Sequence, residues 1–198
     1  KPNFNICMDP FFEQEVEKAV AALRQGKTIL YPTDTIWGIG CDATDTAAVD
    51  KIYRIKQRPD AKSLIILVAS ERDILQYVAA PDPAVFDFMD AQNRPTTIIF
   101  DNAIGLPQNL VATDGSIAIR IVQDTFCRHI IKRLQKPIVS TSANISGQPS
   151  PQNFQSIAQQ IKECVDHIVA WRQNDETPSQ PSQIIKWNNG SAPTIIRQ

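Results

Sequence analysis

Apolar and polar positions alternate along this chain in two distinct periods, and the switches between them mark out most of its elements. Asp9-Pro10 offers an N-cap followed by proline at the first helical position. Phe12, Val16, Ala19, Val20 and Leu23 then recur at helical spacing until Gly26. "KTILYPT" reads as a buried strand ending at Pro32. Asp45 caps a second helix with Ala48, Val49, Ile52 and Tyr53 on one face, and this helix must finish before Pro59. "SLIILVA" is another buried strand, and Ser70 with Asp73 forms a capping box for a helix over "SERDILQYVAA". A helix from Pro83 to Gln92, a strand "TTIIF" and a loop from Asp101 to Gly115 follow.

"SIAIRIV" alternates as a half-exposed strand does. Asp124 caps a helix over "TFCRHIIKRL", and "PIVS" returns to the sheet before a polar turn, "STSANISG". Pro151 to Val165 reads as helix and "HIVAW" as strand. "RQNDETPSQPSQ" is a loop, and "IIKWNNGSAPTIIR" reads as strand, turn and strand around Asn189-Gly190. Strands alternating with helices, with no repeat and no dividing linker, predict one domain over 1–198. It is an α/β domain whose mixed, mostly buried sheet is covered by helices.

Composition narrows this only slightly. With 42% apolar and 21% charged residues in 198, the chain is a globular protein able to fill one core. Its longest apolar run, Leu64 to Ala69, is far too short to span a bilayer. The opening "KPNFNICMDPFF" has no secretory apolar core, so a cytoplasmic location without membrane partners is expected. The net charge of −1 gives no global field for nucleic acid, but the charge is uneven. Lys51, Arg54, Lys56, Arg58 and Lys62 form one basic stretch. Arg128, Lys132, Arg133 and Lys136 form another, which is either a solvated helix face or a patch for phosphate or RNA.

Several familiar chemistries lack their signatures. Cys7, Cys41, Cys127 and Cys164 contain no C-x-x-C, and Cys127 and His129 fall inside a helical pattern. Buried reduced thiols are therefore expected rather than zinc ligands. "GIGCDA" matches G-x-G-x-x-A in letters, but no helix opens directly on it. There is no Walker A sequence and no G-x-S-x-G elbow.

What remains is a set of hydroxyls and fixed cations. "YPTDT" puts Thr33, Asp34 and Thr35 past the end of the first strand, either as a ligand-facing turn or as a turn in which Asp34 bonds its own backbone. Gly38 and Gly40 follow, where backbone can approach a ligand closely. Ligands of α/β sheets lie beyond the carboxyl ends of strands, which is where "PTDT" and "STSAN" both fall. Ser142 and Asn144 offer neutral donors. Lys56, Arg58 and Arg120 offer the positive charge that phosphate or carboxylate requires.

"YPTDTIWGIGCDA", "IYRIKQRP", "SIAIR" and "PIVSTSANISGQPSP", in this order, resemble the YrdC-like family of threonylcarbamoyl-AMP synthases over most of the chain. The resemblance implies a twisted open α/β sheet with a deep, basic concave cavity. It also implies condensation of L-threonine, bicarbonate and ATP to threonylcarbamoyl-adenylate and pyrophosphate, with Mg²⁺ accompanying the ATP. The product serves a tRNA modification, so downstream threonylcarbamoyl-transfer proteins are implied partners, as is tRNA or double-stranded RNA. By position, Thr35, Arg120, Ser142 and Ser182 are implied for threonine, with Arg120 gripping its carboxylate. Lys56, Arg58, Lys62, Ser116, Ser140, Asn144 and Arg197 are implied for the nucleotide, and Lys56 and Arg58 for catalysis. "QNRPTT" departs from the family's usual stretch, with Arg94 in place of glycine. Leu67 stands where some members carry histidine, Gln183 where threonine is common, and "IRIV" lacks a proline often found there. Two other readings compete. One is an RNA-binding module with little catalysis, supported by the basic helix. The other is a paralogue acting on another small carboxylate, motivated by "QNRPTT".

Overall fold

The computed structural model describes residues 9–57 and 64–198. It holds α1 (Pro10–Arg24), β1 (Ile29–Tyr31), β2 (Gly38–Gly40), α2 (Thr46–Lys56) and β3 (Ile65–Val68). These are followed by α3 (Glu71–Ile74), α4 (Ala84–Asp90), β4 (Thr96–Phe100), β5 (Ile117–Ile121) and α5 (Thr125–Leu134). The chain closes with β6 (Ile138–Ser142), α6 (Gln159–Cys164), β7 (His167–Ile168), β8 (Gln183–Lys186) and β9 (Thr194–Arg197). The strands form one open mixed sheet in the order β7-β1-β2-β6-β3-β5-β4-β8-β9. The helix starts follow the sequence signals. Asp9, Asp45 and Asp124 each accept a backbone N–H of the first turn, and Ser70 with Asp73 closes a capping box. No described helix is long and apolar enough to cross a membrane.

Register explains where the core stops and a hollow begins. One sheet face carries Ile39, Ile66, Val68, Ile98, Ile119 and Val139, packed with Val49 and Ile52 of α2 and with Ile74 and Val85. The other face is divided. Tyr31, Leu67 and Ile138 pack with Phe12, Val16 and Leu23 of α1 and with Phe126 and Ile130 of α5. Beyond them, Ser140, Ile65, Ala118 and Ile99 lie in one row across β6, β3, β5 and β4. No described helix covers this row, and Ile65 and Ile99 remain half-buried. Small and hydroxylic side chains at 118 and 140 leave a cavity where a larger apolar pair would extend the core.

Four local expectations need correcting. "SIAIRIV" is not half-exposed: Ile117 to Arg120 are all buried, because the face bearing Ala118 and Arg120 looks into the cavity rather than into bulk water. The polar stretch after "PIV" is strand as far as Ser142, since Thr141 and Ser142 pair with Ile39 and Gly38 of β2. The Pro151–Val165 helix shrinks to α6, because Asn153 and Ser156 exchange side-chain bonds with each other's backbone N–H and hold a turn instead. The helix over "SERDILQYVAA" ends after one turn, as Val78 bridges to Ala103. Asn189-Gly190 does lie between paired strands, β8 and β9, inside a longer connection than a two-residue turn.

Candidate active site

Segments far apart in sequence meet in the hollow. It has a volume of about 230 Å³, and its lining includes Thr35, Arg120, Ser140, Ser142, Ser182 and Arg197. Six of the residues implied for ligand binding therefore share one cavity. Among the described residues, no carboxylate lines it.

Arg120 projects from β5 and is only 3% exposed. Its Nη2 lies 3.0 Å from Asp34 Oδ1, close enough for an ion pair. The contact is not aligned as a hydrogen bond: Nε and Nη2 of Arg120 and Oδ1 of Asp34 are all buried without hydrogen-bond partners. The Nε/Nη2 edge is the fork that grips carboxylates in bidentate fashion, so a buried guanidinium is presented here with its donors open. Asp34 does not close a turn on its own backbone. Its Oδ2 accepts from the N–H of Gln123, tying the "PTDT" turn to the end of β5. The turn is held instead by Thr33, whose Oγ1 accepts from the Thr35 N–H, donates to Ile36 O and lies 3.0 Å from Thr35 Oγ1.

Lys56 is the last residue of α2, and Gln57 turns left-handed with φ 49°. Its ammonium does not bond its own helix's carbonyls. Nζ donates to Ser142 O at 2.5 Å, with Ser142 Oγ at 3.3 Å and Asn144 Oδ1 at 3.4 Å. Ser146 N–H in turn donates to Lys56 O. The K-x-R helix end and the S-x-N turn are thus built against each other. Lys56 and Asn144 stand behind Ser142, outside the lining of the hollow itself. Asn144 is fixed by donating to Ile145 O and Gln148 O.

On the opposite wall, Ser182 Oγ lies 2.8 Å from Thr97 Oγ1, and its carbonyl accepts from Nε and Nη2 of Arg197. Burial and the nearby Arg120 both push the Arg197 guanidinium below its ordinary pKa. Two cations thus face one small space, a standing demand for an anion.

Ser116 stands apart. It shares the Arg120 face of β5, but its hydroxyl donates to Asp114 at 2.6 Å and it does not line the hollow. Arg58 and Lys62 lie outside the described residues. The glycines also differ from expectation: a Cβ on Gly40 would meet the Tyr31 ring at 2.7 Å and collide with Val139 O. Close approach there serves strand packing. Of the two, only Gly38 lines the hollow.

Cys41 and Cys127 are buried and their thiols pushed up by desolvation, but Cys164 is exposed, contrary to expectation; Cys7 lies outside the described residues. In the second basic cluster, Arg133 of α5 pairs with Glu13, and Lys136, just past the helix end, pairs with Asp42, so half of that cluster is neutralised within the chain. Arg94 is exposed and sits on the rim shared by two outer hollows, away from the inner one.

Sequence reading also passed over Thr97 and Ser150, and gave Thr141 no role beyond the polar turn. Thr141 and Ser150 line the hollow and Thr97 supports Ser182. Their only signal was position beside residues already singled out.

An open mixed sheet, with a hydroxyl-lined hollow and an open arginine fork on its uncovered face, defines an α/β protein whose site is suited to a small anionic ligand. Residues 21–198 match the Sua5/YciO/YrdC family model, described as telomere recombination, and the chain belongs to that family. It is 31% identical over 181 residues to the threonylcarbamoyl-AMP synthase of Pseudoalteromonas translucida, covering 90% of this chain and 96% of that one. It is 33% identical over 176 residues to the synthase of the same name from Xanthomonas axonopodis pv. citri, covering 86% and 91%. Among solved structures, P. abyssi Sua5 complexed with L-threonine superposes with a TM-score of 0.82 at 24% identity over 93% of this chain. This chain spans 54% of that one. E. coli YciO superposes with a TM-score of 0.81 at 23% identity, covering 94% of this chain and 89% of that one.

Proposed function

We propose that this protein is an L-threonylcarbamoyladenylate synthase, joining L-threonine, bicarbonate and ATP and releasing pyrophosphate. The observation that carries the reading is the buried Arg120 fork, open toward a hollow walled by Thr35, Ser142 and Ser182. A cavity of about 230 Å³ lies below the size of pockets for drug-sized ligands and suits one small amino acid. Its carboxylate takes the fork, and its hydroxyl and amine have neutral oxygens within reach. The nucleotide lies toward Ser140, Arg197 and the Lys56–Ser142 pair.

The chemistry follows from this layout. The ammonium group of threonine and bicarbonate form a carbamate with release of water and a proton, and a carbamate oxygen then attacks the α-phosphorus of ATP as its bond to the leaving pyrophosphate breaks. Carbamate is already an anion, so the displacement needs positioning and charge stabilisation more than a strong base. Lys56, held by Ser142 and Asn144, supplies fixed positive charge, and Arg58 supplies more on the reading carried by the family motif. Mg²⁺ would accompany the triphosphate and offset part of its charge. The hollow's described lining offers hydroxyls and no carboxylate, which fits an ion kept by phosphate oxygens and water. The adenylate passes to enzymes that transfer threonylcarbamoyl to tRNA.

Pyrophosphate release tests this. Release requires L-threonine and bicarbonate together, and serine is a poorer substrate. Arg120→Lys keeps the charge but loses the fork, so KM for threonine rises roughly tenfold to a hundredfold, as losing a charge-assisted hydrogen bond of about 1.5–3 kcal/mol predicts. Release that ignores threonine, or a variant with unchanged KM, refutes the assignment.

A further inference from the structure

Every substrate of such an enzyme carries an anionic group, and the carboxylate of threonine and the phosphates of ATP bind side by side among the same cations. A bare buried arginine does not tell a carboxylate from a phosphate, since its fork fits either. Left undefended, the Arg120 pocket would be filled by a phosphate of ATP or by released pyrophosphate.

We infer that Asp34 is the specificity residue that makes this pocket take a carboxylate and refuse a phosphate. The inference rests on reading the hollow as the amino-acid pocket. Three observations carry it. Asp34 Oδ1 lies 3.0 Å from the Nη2 prong, yet the prong stays free of any hydrogen bond, so the carboxylate cancels charge without occupying the donors. Asp34 is anchored from the other side by the Gln123 N–H, so it cannot swing away with an incoming ligand without breaking that bond. It also lines two outer hollows, of about 530 and 760 Å³, and not the inner one that Arg120 lines. It therefore acts through the wall and is a positioning residue rather than a substrate contact.

The discrimination is electrostatic. The Asp34–Arg120 pair has no net charge before ligand binds. An anion on the fork sits only a few ångströms beyond the guanidinium, within range of Asp34 in a largely dehydrated site. Each added negative charge on the ligand is repelled again. A bare guanidinium would attract a phosphate dianion twice as strongly as a monoanionic carboxylate, and the Asp34 charge 3.0 Å behind it cancels most of that advantage. The two ligands gain similar hydrogen bonds from the fork, so the difference is left to Asp34.

The test is calorimetric titration with inorganic phosphate at pH 8, alongside its competition with threonine in pyrophosphate release. Asp34→Asn keeps the shape and removes the charge. Phosphate binding is expected to tighten tenfold or more and to become competitive with threonine, while Asp34→Glu stays near wild type. The gain must vanish when Arg120→Gln is added. A folded Asp34→Asn protein with unchanged phosphate affinity overturns the inference, as does a gain that survives Arg120→Gln. Wild-type protein gives an answer even if the variant fails to fold: phosphate should displace threonine no better than acetate does, and a tenfold preference for phosphate sinks the idea. Direct phosphate titration does not depend on the reaction. If threonine fails to bind, the functional reading falls while the role of Asp34 is still decided.

Discussion

At the scale of single residues, the site is made by what its neighbours allow. Tyr31 is fully buried and its hydroxyl donates to Val139 O at 2.9 Å. The ring lies over Gly40, whose missing side chain makes that fit possible. Gly40→Ala must therefore push Tyr31 and the β6 backbone apart, beneath the strand that carries Ser140 and Ser142. Overpacking of this kind costs about 1–3 kcal/mol, readable as a lower denaturation midpoint, and activity should fall with it because β6 moves. Gly38→Ala meets Ser140 Oγ at 3.2 Å instead, so it should perturb the site more than the stability. In the sequence the two glycines looked equivalent. Nothing in "GIGCDA" says that one faces a tyrosine ring and the other a cavity, because that difference arises only when β2 pairs between β1 and β6.

At the scale of elements, caps and apolar spacing were legible because they are local. The starts of α1, α2 and α5 could be read from Asp9, Asp45 and Asp124. Failures came where tertiary partners decide. Thr141 and Ser142 look like turn residues until β2 pairs with them. Arg120 looks exposed until the cavity closes over it. The edge strand β7 shows the same dependence in its pH response. Asp166 accepts from the Thr28 N–H and hydroxyl, and these bonds, the backbone one foremost, lower its pKa. Burial lowers that of His167, whose Nε2 has no hydrogen-bond partner. Both folded values lie below the unfolded ones, so both contributions are complete at neutral pH and are lost as pH falls. The His167 share begins to go below about pH 6.5, its unfolded value, and the Asp166 share below about pH 3.9. Denaturation midpoints should thus fall in two stages. His167→Gln shrinks the first stage, and the remainder belongs to His129, whose pKa burial also lowers. Asp166→Asn is destabilising at pH 7 but indistinguishable from wild type once Asp166 itself is protonated.

Across the whole molecule, stability and chemistry sit in different places. The two apolar clusters hold the sheet from both faces, while the hollow occupies the part of one face that neither reaches. Its far wall is β9, a strand exposed along its length, with Ile195 and Ile196 more than half exposed. Arg197 belongs to that strand, and its guanidinium clamps the Ser182 carbonyl while standing close enough to Arg120 to lower its own pKa. Removing it should change stability little: the clamp is a part-buried bond at the sheet edge, and one like-charge repulsion disappears with it. Arg197→Ala is therefore expected to shift unfolding free energy by no more than about 1 kcal/mol. On the proposed reading, in which Arg197 faces the nucleotide, losing that charged donor should lower kcat/KM for ATP roughly tenfold or more. A core residue shows the reverse pattern: Ile66→Ala, fully buried between strands, costs about 2–5 kcal/mol and leaves the hollow's lining untouched. Equilibrium unfolding and ATP kinetics on these two variants separate the roles. If Arg197→Ala unfolds the protein as readily as Ile66→Ala does, the wall is part of the core and the division fails. If it leaves kcat/KM for ATP intact, Arg197 does not face the nucleotide, and the cavity's second cation is there only to hold β9 against Ser182.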